Sequence, residues 1–100
     1  MDKRLDLIIE RLRDVYDPEI PVNIYDLGLI YNVDIDENQN VNIVMTLTAP
    51  GCPVADMLLG DVEQAAMIDG IKSANVELTF DPPWDKSMMS EEARLELGFF

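Results

Sequence analysis

The sequence predicts an α+β fold: a two-layer single domain in the order α-β-β-α-β-α, with a small mixed three-stranded sheet and helices packed on one face. Three observations carry this expectation. Apolar residues recur at helical spacing in separate segments, they alternate with polar residues in three others, and two of the alternating runs are joined by a short polar turn. With 100 residues the chain accommodates one domain, residues 1–100, and 48% hydrophobic residues supply its core.

Leu5, Ile8, Ile9, Leu12, Val15 and Tyr16 follow a helical period with charges between them, so residues 3–16 read as an amphipathic helix with Asp2 as its N-cap. In the following DPEIPVNIYDLG, Pro18 and Pro21 forbid helix continuation and push Asp17 and Ile20 toward extended geometry, giving an ordered loop that ends at Gly28. Leu29, Tyr31, Val33 and Ile35 then alternate with Asn32, Asp34 and Asp36, and Val41, Ile43, Met45 and Leu47 alternate with Asn42, Val44, Thr46 and Thr48. With DENQN as the turn between them, these strands form a hairpin. Val54, Leu58, Val62 and Ala65 mark a second helix over residues 54–68, stopped by Gly70. Ala74, Val76, Leu78 and Phe80 mark a third strand, and SEEARLEL is a final short helix capped by Ser90.

Composition narrows the chemistry. The formal charge is −13, and four of the seven basic residues (Lys3, Arg4, Arg11 and Arg13) lie within the first 13 positions. Such a surface repels phosphate backbones and argues against nucleic acid. Solubility accounts for the acidity; a basic protein partner or a bound cation accounts for it as well. No apolar stretch approaches the roughly 20 residues that span a bilayer, and the start is interrupted by charge, so a cytoplasmic protein is expected. The chain has one cysteine and no histidine. An intramolecular disulfide, Cys–His and Ser–His–Asp nucleophiles and ordinary structural zinc sites are therefore excluded.

That cysteine, Cys52, stands in TLTAPGCPVADML where the second strand gives way to the second helix, with Pro53 suited to the first helical position. A thiol there faces the unpaired N–H groups of the first turn, which favours thiolate; a small buried hydrophobe is the plainer reading. Asp17, Glu19 and Asp26 cluster in the other irregular stretch. Turn and capping chemistry explains them, but if that loop folds beside Cys52, a thiolate with two or three carboxylates makes a mixed S/O site suited to a transition metal. Thr46 and Thr48 share the second face of their strand and could donate hydroxyl hydrogen bonds to a sulfur or substrate; β-formers on a half-exposed face would look the same. Trp84, after two prolines in an acidic tail, reads either as a core plug or as an interaction residue, with Met88 and Met89 packing on the same surface.

Together DPEIPVNIYDLGLIYNV, TLTAPGCPVADML and FDPPWDKSMMSEEARLELGF resemble the SufT and PaaD-like family of iron–sulfur cluster assembly factors, and also the cytosolic iron–sulfur targeting factors of eukaryotes. The three motifs stand in the family's order over nearly the whole chain. The resemblance implies a cytoplasmic assembly or maturation factor, non-catalytic, with Cys52 as the reactive position. Asp17 and Glu19 match its Asp-Pro-Glu motif, Asp26 and Gly28 its Asp-Leu-Gly motif, Thr48, Cys52 and Pro53 its threonine-to-cysteine loop, and Trp84 its Pro-Pro-Trp motif. The chain carries neither the cysteine-bearing tail of PaaD-like members nor the long N-terminal extension of some SufT forms, so the bare domain is expected.

Clusters usually take four thiolates, so the expected cofactor is at most a transient iron–sulfur cluster, with Cys52, Asp17, Glu19, Asp26 and Thr48 as candidate contacts. Expected partners are iron–sulfur carrier or scaffold proteins and apo-clients, with no nucleic acid and no membrane. A homodimer formed by exchange of the first helix or an edge strand would bring two Cys52 sulfurs together. Two other readings of the residues stay open: a thiol redox enzyme with Cys52 as a sulfenate, and an interaction module whose cysteine is structural.

Overall fold

The computed structural model describes residues 3–17, 22–48 and 55–98. The elements are α1 (Lys3–Leu12), β1 (Ile30–Ile35), β2 (Asn40–Met45), α2 (Ala55–Ala66), β3 (Ser73–Leu78), a 3₁₀ turn (Lys86–Met88) and α3 (Glu91–Leu97). This is the expected order. The sheet runs β1-β2-β3, with β2 in the centre, antiparallel to β1 and parallel to β3. A parallel neighbour needs a crossover, and α2 supplies it.

β2 shows why this strand is central. Val41, Ile43 and Met45 are almost fully buried while Asn40, Asn42 and Val44 are half-buried, the period-2 pattern of a strand with one face on the core. Val33 and Ile35 lie opposite Ile43 and Val41, and Val76 pairs with Ile43 from the other side. Ile8 and Leu12 of α1 and Leu58, Val62 and Ala66 of α2 close the core, α1 packing on α2 and α2 on β3.

Three boundaries differ from the periodic reading. α1 stops at Leu12 rather than continuing to residue 16, because the Val15 carbonyl accepts from Ile24 N at 2.9 Å and Tyr16 bridges to Asn23. Extended pairing with the following loop wins over the helical period. α2 ends at Ala66, and Gly70, at φ +93°, serves the turn after it. β3 ends at Leu78 rather than Phe80 because its partner ends: Leu78 pairs with Met45, and Thr79 N makes a last bond to the Met45 carbonyl at 2.8 Å. The expected cap Asp2 lies outside the described residues.

The hairpin turn is organised by Asp36, whose Oδ1 accepts from Asn38 N at 2.8 Å and Asn40 N at 3.0 Å. These backbone donors, Asn40 first, hold its carboxyl below the usual carboxylate range.

The segment after β3 is clasped onto the 25–31 region. The Trp84 indole N–H donates to the Leu27 carbonyl at 2.7 Å, Tyr31 Oη donates to the Pro82 carbonyl at 2.7 Å, and Ser90 N donates to the Asp26 carbonyl at 2.8 Å. Between these bonds Gly28, at φ +81°, lies against Met88 so closely that a Cβ would stand 2.3 Å from the Met88 carbonyl oxygen. Ser90 caps α3 as expected, accepting from Ala93 N at 3.1 Å.

Gly28→Ala should cost at least about 2 kcal/mol, since the new methyl meets backbone and the residue keeps a left-handed φ. Thermal unfolding should show a fall of roughly 8–16 °C; a change below about 2 °C would contradict the close approach. Trp84→Phe orphans a buried carbonyl and should cost about 1–3 kcal/mol, whereas a purely interacting Trp84 would leave unfolding unchanged. A lowered Asp36 pKa contributes stability that is present above the unfolded pKa and lost as pH falls through the folded one. Asp36→Asn should therefore flatten the loss of stability below about pH 4 in urea titrations, and an unaltered acid limb would count against this role.

Candidate functional site

Backbone hydrogen bonds join the described segments that carry Asp17, Asp26 and Thr48. β2 delivers the chain to Thr46, whose N–H donates to the Leu29 carbonyl at 2.8 Å. Leu29 N donates in turn to the Ile24 carbonyl at 3.1 Å, and Ile24 N to the Val15 carbonyl at 2.9 Å. This relay holds the 22–29 loop, with Asp26, and the segment from Val15 to Asp17 against the C-terminal end of β2. Residues 49–54, with Cys52, lie outside the described residues, and α2 begins at Ala55. Thr48 is half-buried on the outgoing chain.

Cys52 and Glu19 lie outside the described residues. Asp17 is buried, at 9% exposure, and its N–H donates to the Val22 carbonyl at 3.4 Å. Asp26 is tied down locally. Its Oδ2 accepts from Asn23 Nδ2 at 2.8 Å, its N–H donates to Asn23 Oδ1 at 2.9 Å, and Arg13 Nε stands 3.9 Å from Oδ1. The Arg13 guanidinium also sits over the Tyr25 ring at 5.0 Å. These contacts are the turn and capping chemistry that the spacing of Asn23 and Asp26 allowed. Among the described residues no three acidic or sulfur side chains come together to hold a metal ion.

Thr46 corrects one expectation. It is fully buried rather than on a half-exposed face, because the strand alternation ends at Met45 and the chain passes under Leu29. Its hydroxyl donates to the neighbouring Leu47 carbonyl at 3.5 Å. Trp84 is half-buried against the core and spends its N–H on Leu27. Sequence reasoning missed Arg13 and Tyr25, which brace the Asp26 loop; an exposed arginine just past a helix carries no signal of the ring it will cover.

No helix among the described residues is long and apolar enough to cross a membrane. The chain is 58% identical over 93 residues to an Fe-S protein maturation auxiliary factor of Porphyromonas gingivalis, covering 92% of this chain and 89% of that protein. It is 41% identical to the Fe-S protein maturation auxiliary factor YitW of Bacillus subtilis, covering 91% and 90%. A crystal structure of a domain of unknown function from Bacillus anthracis superposes with a TM-score of 0.89 at 36% identity, covering 98% of this chain and 94% of that one. Residues 5–78, which hold all the paired strands, α2, all but the first two residues of α1 and the bonded relay, match the model of the iron–sulfur cluster assembly proteins, and the chain belongs to that family.

Proposed function

We propose that the protein is a maturation factor for iron–sulfur proteins that docks a carrier or scaffold protein and an apo-client, and that Cys52 takes part in the handover of a cluster between them. The observation that carries this reading is the near full-length relationship, at 58% identity, to a protein named for that role. The donor inventory suits transfer better than storage. One thiol per chain, with no histidine, falls short of the four ligands a resident cluster takes. A single thiolate can instead replace one ligand of an arriving cluster and then be replaced by a client thiolate. Such an exchange moves ligands and protons and changes no oxidation state.

Asp17, Glu19, Asp26 and Thr48 are proposed to frame the position of the sulfur. The backbone relay from Val15 through Leu29 to Thr46 supports this, since it holds the Asp26 loop beside the end of β2. Trp84 supports the site indirectly, by fixing the Leu27–Gly28 turn from behind.

The test is anaerobic reconstitution with iron and sulfide, followed by addition of an apo-ferredoxin. Wild-type protein should develop visible absorption that passes to the ferredoxin. Cys52→Ser should abolish the colour and slow transfer to the rate without the factor, with circular dichroism unchanged. Colour that persists in the serine variant would remove the sulfur from the ligand set.

A further inference from the structure

The basic residues of this acidic chain are not scattered. Lys3, Arg4 and Arg11 of α1 line a groove of about 370 Å³ together with Leu7 of the same helix and Met67, Ile68 and Asp69 beyond the end of α2. Leu7 and Met67 are each 45% exposed, so the groove floor presents aliphatic surface to solvent. Positions 3, 4, 7 and 11 share one helical face, placing a leucine at the centre of three cations. The arginines are anchored: Arg4 Nη1 donates to Gln39 Oε1, and Arg11 Nε donates to the Ala65 carbonyl at 2.8 Å, a bond that leaves the terminal amino groups of the guanidinium with further donors. The groove lies at the opposite end of α2 from Ala55, about 18 Å along its 12 residues, so an occupant would leave the N-terminal end of α2 uncovered.

We propose that this groove docks an acidic amphipathic helix of a partner protein, its aliphatic face over Leu7 and Met67 and its carboxylates against Lys3, Arg4 and Arg11. Charge complementarity selects this occupant. Carboxylates at helical spacing match cations at helical spacing, and bonds between guanidinium and carboxylate are among the stronger polar contacts. At physiological salt, charges beyond about 8 Å are largely screened, so a short helix feels the local cations more than the net −13. An extended polyanion, an anionic bilayer or a second copy of the chain reaches past the patch onto acidic surface and is repelled.

The probe is a fluorescent synthetic peptide helix with leucines at i and i+4 flanked by glutamates, titrated into the full chain and followed by anisotropy. Saturable binding is expected, weakening roughly fivefold or more between about 0.05 and about 0.3 M salt. Lys3→Glu and Leu7→Asp, both at exposed positions, should each weaken it on the order of tenfold with unchanged thermal unfolding. The proposal is overturned if no saturable binding occurs, if neither variant weakens it, or if a peptide with lysines in place of the glutamates binds equally. Self-association that Leu7→Asp abolishes would assign the groove to a second copy, and phosphatidylserine vesicle binding without peptide binding would assign it to a membrane; either result overturns it. Cluster handover through Cys52 is measured separately, so failure of one reading leaves the other standing.

Discussion

The approach of Gly28 to Met88 is the contact on which the surrounding architecture depends. Backbone meets backbone there with no room for a single carbon, so the 25–29 turn and the segment after β3 register against each other within a fraction of an ångström. The neighbouring bonds, from Trp84 to Leu27, Tyr31 to Pro82 and Ser90 to Asp26, are all long-range in sequence and form only when that register is right. Close packing of this kind is intolerant of added volume, which makes the clasp a cooperative unit rather than a set of separable contacts.

The consequence reaches the candidate site. Leu29 follows Gly28 directly, and its carbonyl receives the Thr46 N–H. The clasp therefore sets where β2 hands the chain on toward Cys52. It also fixes the Asp26 loop, whose main-chain carbonyl is committed to α3 while its carboxylate is committed to Asn23. The relay through Val15, Ile24 and Leu29 is all main chain, while the side chains of these three residues are buried in the hydrophobic core.

Charge is organised on a longer scale. The sequence carries an acidic excess, net −13, whereas α1 places Lys3, Arg4 and Arg11 around Leu7. This cationic face meets the chain just beyond the C-terminal end of α2, at Met67, Ile68 and Asp69.

Local pattern alone was enough for the element types and their order, because a strand with one buried face must alternate and a surface helix must show a stripe. It was enough for the Ser90 cap and the hairpin at 36–40, whose chemistry is carried by adjacent residues. Composition ruled out histidine nucleophiles and a site of four cysteine or histidine ligands within one chain. Element ends were decided by tertiary structure: α1 yields at Leu12 to pairing with residues 22–24, and β3 stops where β2 stops. The burial of Thr46, the bracing of Asp26 by Arg13 and the use of the Trp84 N–H on Leu27 were likewise settled only in three dimensions. In each case the deciding partner is distant in the chain, and a hydrogen bond or a steric limit between distant residues leaves no period or spacing in the sequence around either one.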